Sequence, residues 1–459
     1  MGQSTSRPTY GALPWWNNDL YGRHVFNVNV NHVFNTLDSF PPSCQGDSHF
    51  VQRLHGPRLP IEVWENIIDL AGYPFDRPSM LSCALVCRAW LPRSQFHLFN
   101  AVCLRTTRQI RLLGQTICGV AYLRSFVAEI SLCLDENAAK SLNLFPDLLS
   151  RLPRVVDVTL ASFTLYPKGI MLKAKHETIA YPVARWQRRR WRHADDSAIV
   201  DTPLGWNVTS MTYTSVRSLT LGRVGFRDFS DFGWILCGFP NLLNLYCSNI
   251  TWRSAEVNPL AFDVHRDIAL KKLNVLKLCF GTVEGRGLGY IVDAVGTSLH
   301  TLFLSESPSN FSAGQAMYNL NLRRFTCLSA FYVRNWLYSP QLDNAWLPVV
   351  LESMASNGLQ HVTFAFHCGI TCMTRREMLE RMLCPRIDEI LSRPQFASLT
   401  QVTFAFDDTG NRSYWLAQLR WRMPKFSARG IINVEVWNGH INLGTKWLGF
   451  SERYRDDLT

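Results

Sequence analysis

The stretch LPIEVWENIIDL at residues 59–70 is followed, eight residues later, by SMLSCALVCRAW at residues 79–90. Pro60 suits the first position of a helix, because its missing N–H would have no intrahelical partner there. Glu62 places a negative charge in the first turn, where the helix dipole is positive. The first stretch therefore predicts a helix that begins at Pro60.

Apolar residues cover more than half of the circumference of this first helix, which is too wide for a helix that rests on a single neighbour. They are Ile61, Trp64 and Ile68, together with Val63, Ile67 and Leu70 on the adjoining flank. Part of this surface is expected to bind a partner.

The second stretch predicts a second helix and the start of a third. Ser79 is a suitable N-cap, and we expect a helix from Leu81 to Trp90 that Pro92 ends. Ser94 is expected to cap the third helix. No group in these three helices is arranged for catalysis.

This segment resembles the F-box, the module of about fifty residues by which substrate receptors attach to the Skp adaptor of cullin–RING ubiquitin ligases. Leu59, Pro60, Glu62, Val63, Ile67 and Ile68 match its opening pattern, and Leu85, Val86, Cys87, Arg88 and Trp90 match its central pattern. The resemblance implies contact with the adaptor, or packing that presents the contact surface, for Leu59, Pro60, Val63, Ile67, Leu85, Val86 and Trp90.

Behind this segment the chain repeats an apolar-x-x-apolar-x-apolar unit that is typical of a short strand. Its middle positions are Val102, Ile130, Val158, Leu219, Leu245, Leu276, Leu302, Phe325, Val362, Val402 and Val434. Helical patterns lie between them, at 229–239, 288–295, 346–356 and 378–391. Units of this kind cannot bury their apolar faces alone, so we expect the strands to stack into a parallel sheet.

This alternation resembles the irregular leucine-rich repeats that often follow an F-box. The sequence thus predicts an α/β protein: an N-terminal three-helix F-box-like module, then an irregular leucine-rich-repeat solenoid of alternating short parallel strands and helices. The expected divisions are an irregular or disordered leader at 1–57, the F-box-like module at 58–104, the solenoid at 105–440 and a tail at 441–459.

The solenoid is expected to carry a basic insertion at about 166–212. This segment contains Arg185, Arg188, Arg189, Arg190 and Arg192, interleaved with tryptophan and histidine. Guanidinium groups pair with phosphate or carboxylate, and tryptophan stacks on bases, so an acidic partner or nucleic acid is one interpretation. A solvated loop that opposes aggregation is the favoured one.

Composition points to a binding protein rather than an enzyme. There is no Gly-rich phosphate loop, no G-x-S-x-G and no H-E-x-x-H motif among the 459 residues. The thirteen cysteines lack framework spacing and are expected to be reduced. The loose group of His361, His367, Cys368, Cys372 and Cys384 lacks a paired C-x-x-C, so neither metal nor cofactor is expected.

The expected function is that of a non-enzymatic substrate-recognition subunit of an SCF (Skp–cullin–F-box) ubiquitin ligase, cytoplasmic or nuclear. Its expected partners are the Skp adaptor, the cullin scaffold and a target protein whose identity the sequence does not reveal. The alternative is a free-standing solenoid that binds nucleic acid or an acidic partner through the arginine insertion. Gly2 fits the myristoylation pattern, but one acyl chain gives only weak membrane binding.

Overall fold

The computed structural model describes residues 60–72, 77–133, 144–161, 212–222, 224–226, 229–248, 250–252, 270–280, 291–292, 295, 297–306, 320, 322–336, 346–367, 375–406 and 411–436. The described residues form two compact units, one comprising residues 60–98 and the other residues 99–436. The predicted leader, the arginine insertion, the tail, Leu59 and Gly2 lie outside them.

The protein belongs to the α/β class, as predicted. The helices are α1 (Ile61–Gly72), α2 (Arg77–Val86), α3 (Leu91–Asn100), α4 (Thr107–Gly119), α5 (Phe145–Ser150), α6 (Phe229–Cys237), α7 (Trp346–Ser353), α8 (Arg375–Arg381), α9 (Cys384–Leu391), α10 (Arg412–Arg422) and α11 (Pro424–Arg429). The strands are β1 (Ala101–Leu104), β2 (Glu129–Cys133), β3 (Asp157–Ala161), β4 (Ser218–Gly222), β5 (Gly225–Phe226), β6 (Asn244–Ser248), β7 (Thr251–Trp252), β8 (Val275–Phe280), β9 (Thr301–Glu306), β10 (Ala330–Trp336), β11 (His361–His367), β12 (Gln401–Phe406) and β13 (Ile432–Val436).

Eleven of the described strands form one sheet whose order follows the chain: β1-β2-β3-β4-β6-β8-β9-β10-β11-β12-β13. Every neighbouring pair is parallel. The short strands β5 and β7 pair with each other in a second sheet. Strands β3 and β4 pair directly although the predicted insertion separates them in sequence.

One row of apolar residues crosses the sheet and confirms most of the predicted strands. The aligned residues are Val102, Ile130, Val158, Leu219, Leu245, Leu276, Leu302, Phe331, Val362, Val402 and Ile432. All except Val102 and Ile432, on the two outermost strands, are at most 1% exposed. This face of the sheet joins the buried helix residues in one continuous apolar core.

Two predicted strand positions were wrong. Phe325 lies before the strand, behind a 3₁₀ turn at Leu322–Arg324, and the strand residue in register is Phe331. Val434 aligns with Phe404 rather than Val402, so the predicted middle position was two residues too late.

The helix predicted at 378–391 is in fact two helices, α8 and α9. Leu383 between them has φ 50°, the left-handed conformation that interrupts a right-handed helix. Pro385 stands in the first turn of α9. Because proline has no N–H to donate, it starts a new helix more readily than it continues an old one.

Backbone hydrogen bonds repeat from unit to unit where the chain enters each strand. A single carbonyl there accepts two N–H groups from the next unit, at 2.8–3.2 Å. These carbonyls belong to Ala128, Val156, Arg217, Leu243, Asn274, His300, Ser329 and Gln360. The ladder extends the pairing of the sheet into the turns, so consecutive units are held in register before their strands begin.

Ser356 shows that a polar residue can fill an apolar position in this repeat. It stands three residues before Leu359, the place that Phe239, Phe325 and Phe396 take in other units. The Ser356 hydroxyl is buried, donates to the carbonyl of Leu328 at 2.6 Å and lies 3.1 Å from that of Thr326. Its hydrogen bond satisfies the buried hydroxyl.

Candidate docking surface on the first two helices

Helices α1 and α2 pack against each other through a small apolar interior. Ile68 from α1 is buried, and so are Met80 and Ala84 from α2, four residues apart on one face. The rings of Trp64 and Trp90 lie with their centroids 4.9 Å apart. The carbonyl of Pro60 accepts hydrogen bonds from the N–H groups of the first turn, so Pro60 stands just before the helix that it was predicted to begin.

An ion pair joins α1 to α3. Arg93 donates from Nε and Nη2 to the two carboxylate oxygens of Asp69, at 2.7 and 2.6 Å. The Nε2 atom of His97 lies 2.7 Å from Oδ1 of the same carboxylate. The hydrogen bond from Arg93, helped by His97 and opposed by partial burial, lowers the pKa of Asp69 to about 2 from its usual 3.8. A two-pronged contact of this kind fixes the orientation of α3 against α1.

We expect the local stability of α1 to fall in acid. Because the folded pKa of Asp69 lies below the unfolded one, its contribution is complete above the unfolded value and is lost as the pH falls through about 2. The free energy of local opening of α1, measured by hydrogen exchange, should decline from pH ~4 downward. In Asp69→Asn this decline should be absent. An equal decline in both proteins would contradict this role for the carboxylate.

Helices α1 and α2 expose several large apolar side chains. Among the described residues ten large apolar side chains are exposed, and six of these lie between residues 61 and 86. Val63, Ile67 and Leu70 follow each other at spacings of four and three, which places them in one stripe along α1. Leu70 is the most exposed, at 76%. The other three are Ile61, Leu85 and Val86.

The structure divides the predicted contact residues into two kinds. Pro60, Val63, Ile67, Leu85 and Val86 are exposed, whereas Trp90 is half-buried against Trp64. Leu59 lies outside the described residues. Leu70 and Ile61 were recognised as part of the apolar surface of the helix but not as candidate contacts. The three-residue spacing of Leu70 from Ile67 was the signal that could have identified Leu70 as a candidate contact.

The boundaries predicted for the second and third helices were wrong. Helix α2 ends at Val86, four residues before the predicted end at Trp90. Helix α3 begins at Leu91, so Pro92 lies in its first turn rather than ending the helix before it. Ser94 is buried within α3 and is not its cap.

A second surface lies on the side of the main sheet that faces away from the apolar core. Tyr246, Lys277, Phe303 and Tyr332 occupy one register row on four successive strands. The rings of Phe303 and Tyr332 are stacked, with centroids 4.3 Å apart and an interplanar angle of 9°. The amine of Lys277 lies 5.9 Å from the Phe303 centroid. Burial, and secondarily the charge of Asp157, raises the pKa of Tyr246 to about 12.

This half-buried row, which we call the aromatic row, offers flat ring faces beside one amine. Such groups make large contacts at little cost in conformational entropy, because aromatic side chains have few rotatable bonds. The phenol of Tyr246 stays protonated at neutral pH. The row is therefore a second surface suited to binding, on a rigid sheet.

The arginine insertion and Gly2 lie outside the described residues, as do Cys368 and Cys372 of the loose histidine–cysteine group. Of that group, His361 is exposed on β11, while Cys384 is buried, which raises its pKa to about 12. In the described ranges no three histidine, cysteine or acidic side chains are grouped so as to hold a metal ion. No helix in these ranges has the length and apolarity needed to cross a membrane.

Comparison of the chain with protein-family models gives no match, and comparison with curated proteins gives none either.

Proposed function

We propose that the protein is the substrate-recognition subunit of an SCF ubiquitin ligase. In this proposal α1–α3 form an F-box that docks on the Skp adaptor, which connects to the cullin scaffold. The observation that carries it is the exposed apolar stripe Val63, Ile67 and Leu70 on α1, together with exposed Leu85 and Val86 on α2, in a segment whose motif resembles the F-box.

The physical reason is that clustered apolar exposure is costly unless a partner covers it. Solitary exposed apolar residues are common on soluble proteins, but contiguous patches usually mark interaction sites. A helix that places its apolar side chains at positions i, i+4 and i+7 presents the spacing that a helical partner or a groove can take up. The ion pair of Asp69 with Arg93 lies away from this stripe on α1 and holds the neighbouring helix in place.

The second part of the proposal is that the repeated units are an irregular leucine-rich-repeat solenoid that binds the target. Consecutive parallel strands, a repeated apolar row and the carbonyl ladder between units support this assignment. The aromatic row is the surface that we assign to the target. The chain itself transfers nothing: it raises the effective concentration of the target beside the ubiquitin-loaded enzyme.

Co-expression of the full chain with the Skp adaptor tests the proposal. Size-exclusion chromatography should show a one-to-one complex, and Leu59→Ala/Pro60→Ala should remove it while the circular dichroism of the chain stays unchanged. A folded chain that never co-elutes with the adaptor would refute the ligase function. A complex that survives the double substitution would instead refute the assignment of its docking residues.

A further inference from the structure

The segment from Asn411 to Gly430, which forms α10 and α11, is positively charged and contains no acidic residue of its own. It holds five arginine and lysine residues and no aspartate or glutamate. The buried carboxylate of Asp388 reaches this segment, but it accepts hydrogen bonds from the backbone of Lys425 and Phe426 and no side-chain charge. The surface of these two helices is therefore suited to an anionic ligand.

The two tryptophans on α10 differ in burial. Trp415 is fully buried and stacks on Phe406, with ring centroids 4.0 Å apart. Trp421 is 75% exposed, and the guanidinium of Arg422 lies 5.4 Å from its ring centroid. Trp415 supplies the packing between α10 and the sheet. Packing therefore does not account for Trp421.

The cations of the segment also differ in what they contact. Arg429 donates to the carbonyls of Ala397 and Leu399, so it has a structural role. Arg420 and Lys425 are exposed, and neither side chain has an ion-pair or hydrogen-bond partner in the part of the chain that the structure describes. The charge of Arg420 stabilises the last turn of α10, where the helix dipole is negative. That effect does not require an exposed indole beside it.

We propose that Trp421, Arg420 and Lys425 form a binding site for single-stranded nucleic acid. The indole of Trp421 stacks on a base, and the two cations contact the flanking phosphates. Base stacking on an exposed aromatic ring between cations is the physical basis of sequence-tolerant single-strand binding. The guanidinium of Arg422 lies over the Trp421 ring in a cation–π contact.

The exposed indole favours this ligand over an acidic peptide. Aspartate and glutamate would engage Arg420 and Lys425 and leave the apolar ring of Trp421 in water. A nucleotide uses both features, because it has an anionic backbone and a flat base. The proposed site does not include Arg185–Arg192 of the predicted insertion, and it does not depend on the proposed attachment to an adaptor.

Fluorescence anisotropy with a fluorescein-labelled (dT)₁₂ oligonucleotide and the full-length protein tests the site. Trp421→Ala should weaken binding by about tenfold, whereas Trp421→Phe should retain most of the affinity, because a smaller ring still stacks. In Arg420→Ala/Lys425→Ala, the slope of log affinity against log salt should fall by about 1.4, since each lost phosphate contact removes about 0.7.

Arg376→Ala is the matched control. Arg376 is an exposed arginine on α8 that pairs with Glu380, so its loss removes one positive charge outside the proposed site and should change the affinity by less than about twofold. The proposal is overturned if (dT)₁₂ does not bind. It is also overturned if binding is indifferent to Trp421→Ala and to Arg420→Ala/Lys425→Ala. Equal competition by a poly-glutamate peptide would assign the surface to an acidic protein instead.

Discussion

The Ile67→Asp variant is expected to lose capture of the Skp adaptor, with affinity reduced by about a hundredfold or more. Ile67 lies in the middle of the exposed stripe on α1, between Val63 and Leu70. An aspartate buried there by the adaptor would have to give up its hydration without a partner charge, which costs several kcal/mol. Surface plasmon resonance with immobilised adaptor measures the loss of affinity.

Val349→Asp is the matched control for this variant. Val349 lies on α7, in the other compact unit, and is exposed to the same extent as Ile67, at 40%. Both substitutions replace an exposed apolar residue by the same charge, and the thermal midpoint should be nearly unchanged in both. Capture should survive Val349→Asp. If Ile67→Asp binds the adaptor like the wild type, the stripe is not the docking surface.

Asp388→Ala is expected to have the largest effect on stability, lowering the free energy of unfolding by about 3 kcal/mol. Asp388 lies on α9, is 3% exposed and accepts the backbone N–H groups of Lys425 and Phe426, at 3.1 and 2.9 Å. These are donors of the first turn of α11, which have no intrahelical acceptor. Alanine would leave both donors unsatisfied and would remove a negative charge from the positive end of the helix.

Asp388→Asn separates the two contributions, because it keeps one oxygen acceptor and loses the charge. It should be destabilised by about half as much. Glu380→Ala removes an acid from an exposed ion pair and should leave the unfolding curve unchanged. Urea denaturation followed by circular dichroism compares the three variants. If Asp388→Ala unfolds at the same urea concentration as the wild type, α11 does not depend on the hydrogen bonds to Asp388.

The strands were predictable because each unit carries its own signal. An apolar row that must face one core fixes which residues of a strand point inward, and nine of the eleven predicted middle positions stand in the register row. The sequence failed at Phe325 because the three-position pattern fits this unit at two offsets, Leu322-x-x-Phe325-x-Cys327 and Leu328-x-x-Phe331-x-Val333. Most units carry a fourth apolar residue three positions before the pattern, and this residue would have selected the later offset.

The candidate docking surface was only partly predictable for a different reason. The helical period groups Trp64, Ile67, Ile68 and Leu70 on one broad apolar face, but it does not say which part of that face a neighbouring helix covers. That is decided by α2, which buries Ile68 against Met80 and Ala84 and leaves Leu70 in solvent. The ion pair of Asp69 with Arg93 spans 24 residues and has no local sequence signal.

Hydrogen exchange of the full chain, alone and mixed with the Skp adaptor, shows whether α1 and α2 are the docking surface. If α1 and α2 dock on the adaptor, their amides should exchange more slowly in the complex, while those of α8 should be unchanged. Exchange in residues 61–86 that stays the same in the presence of saturating adaptor would contradict the account.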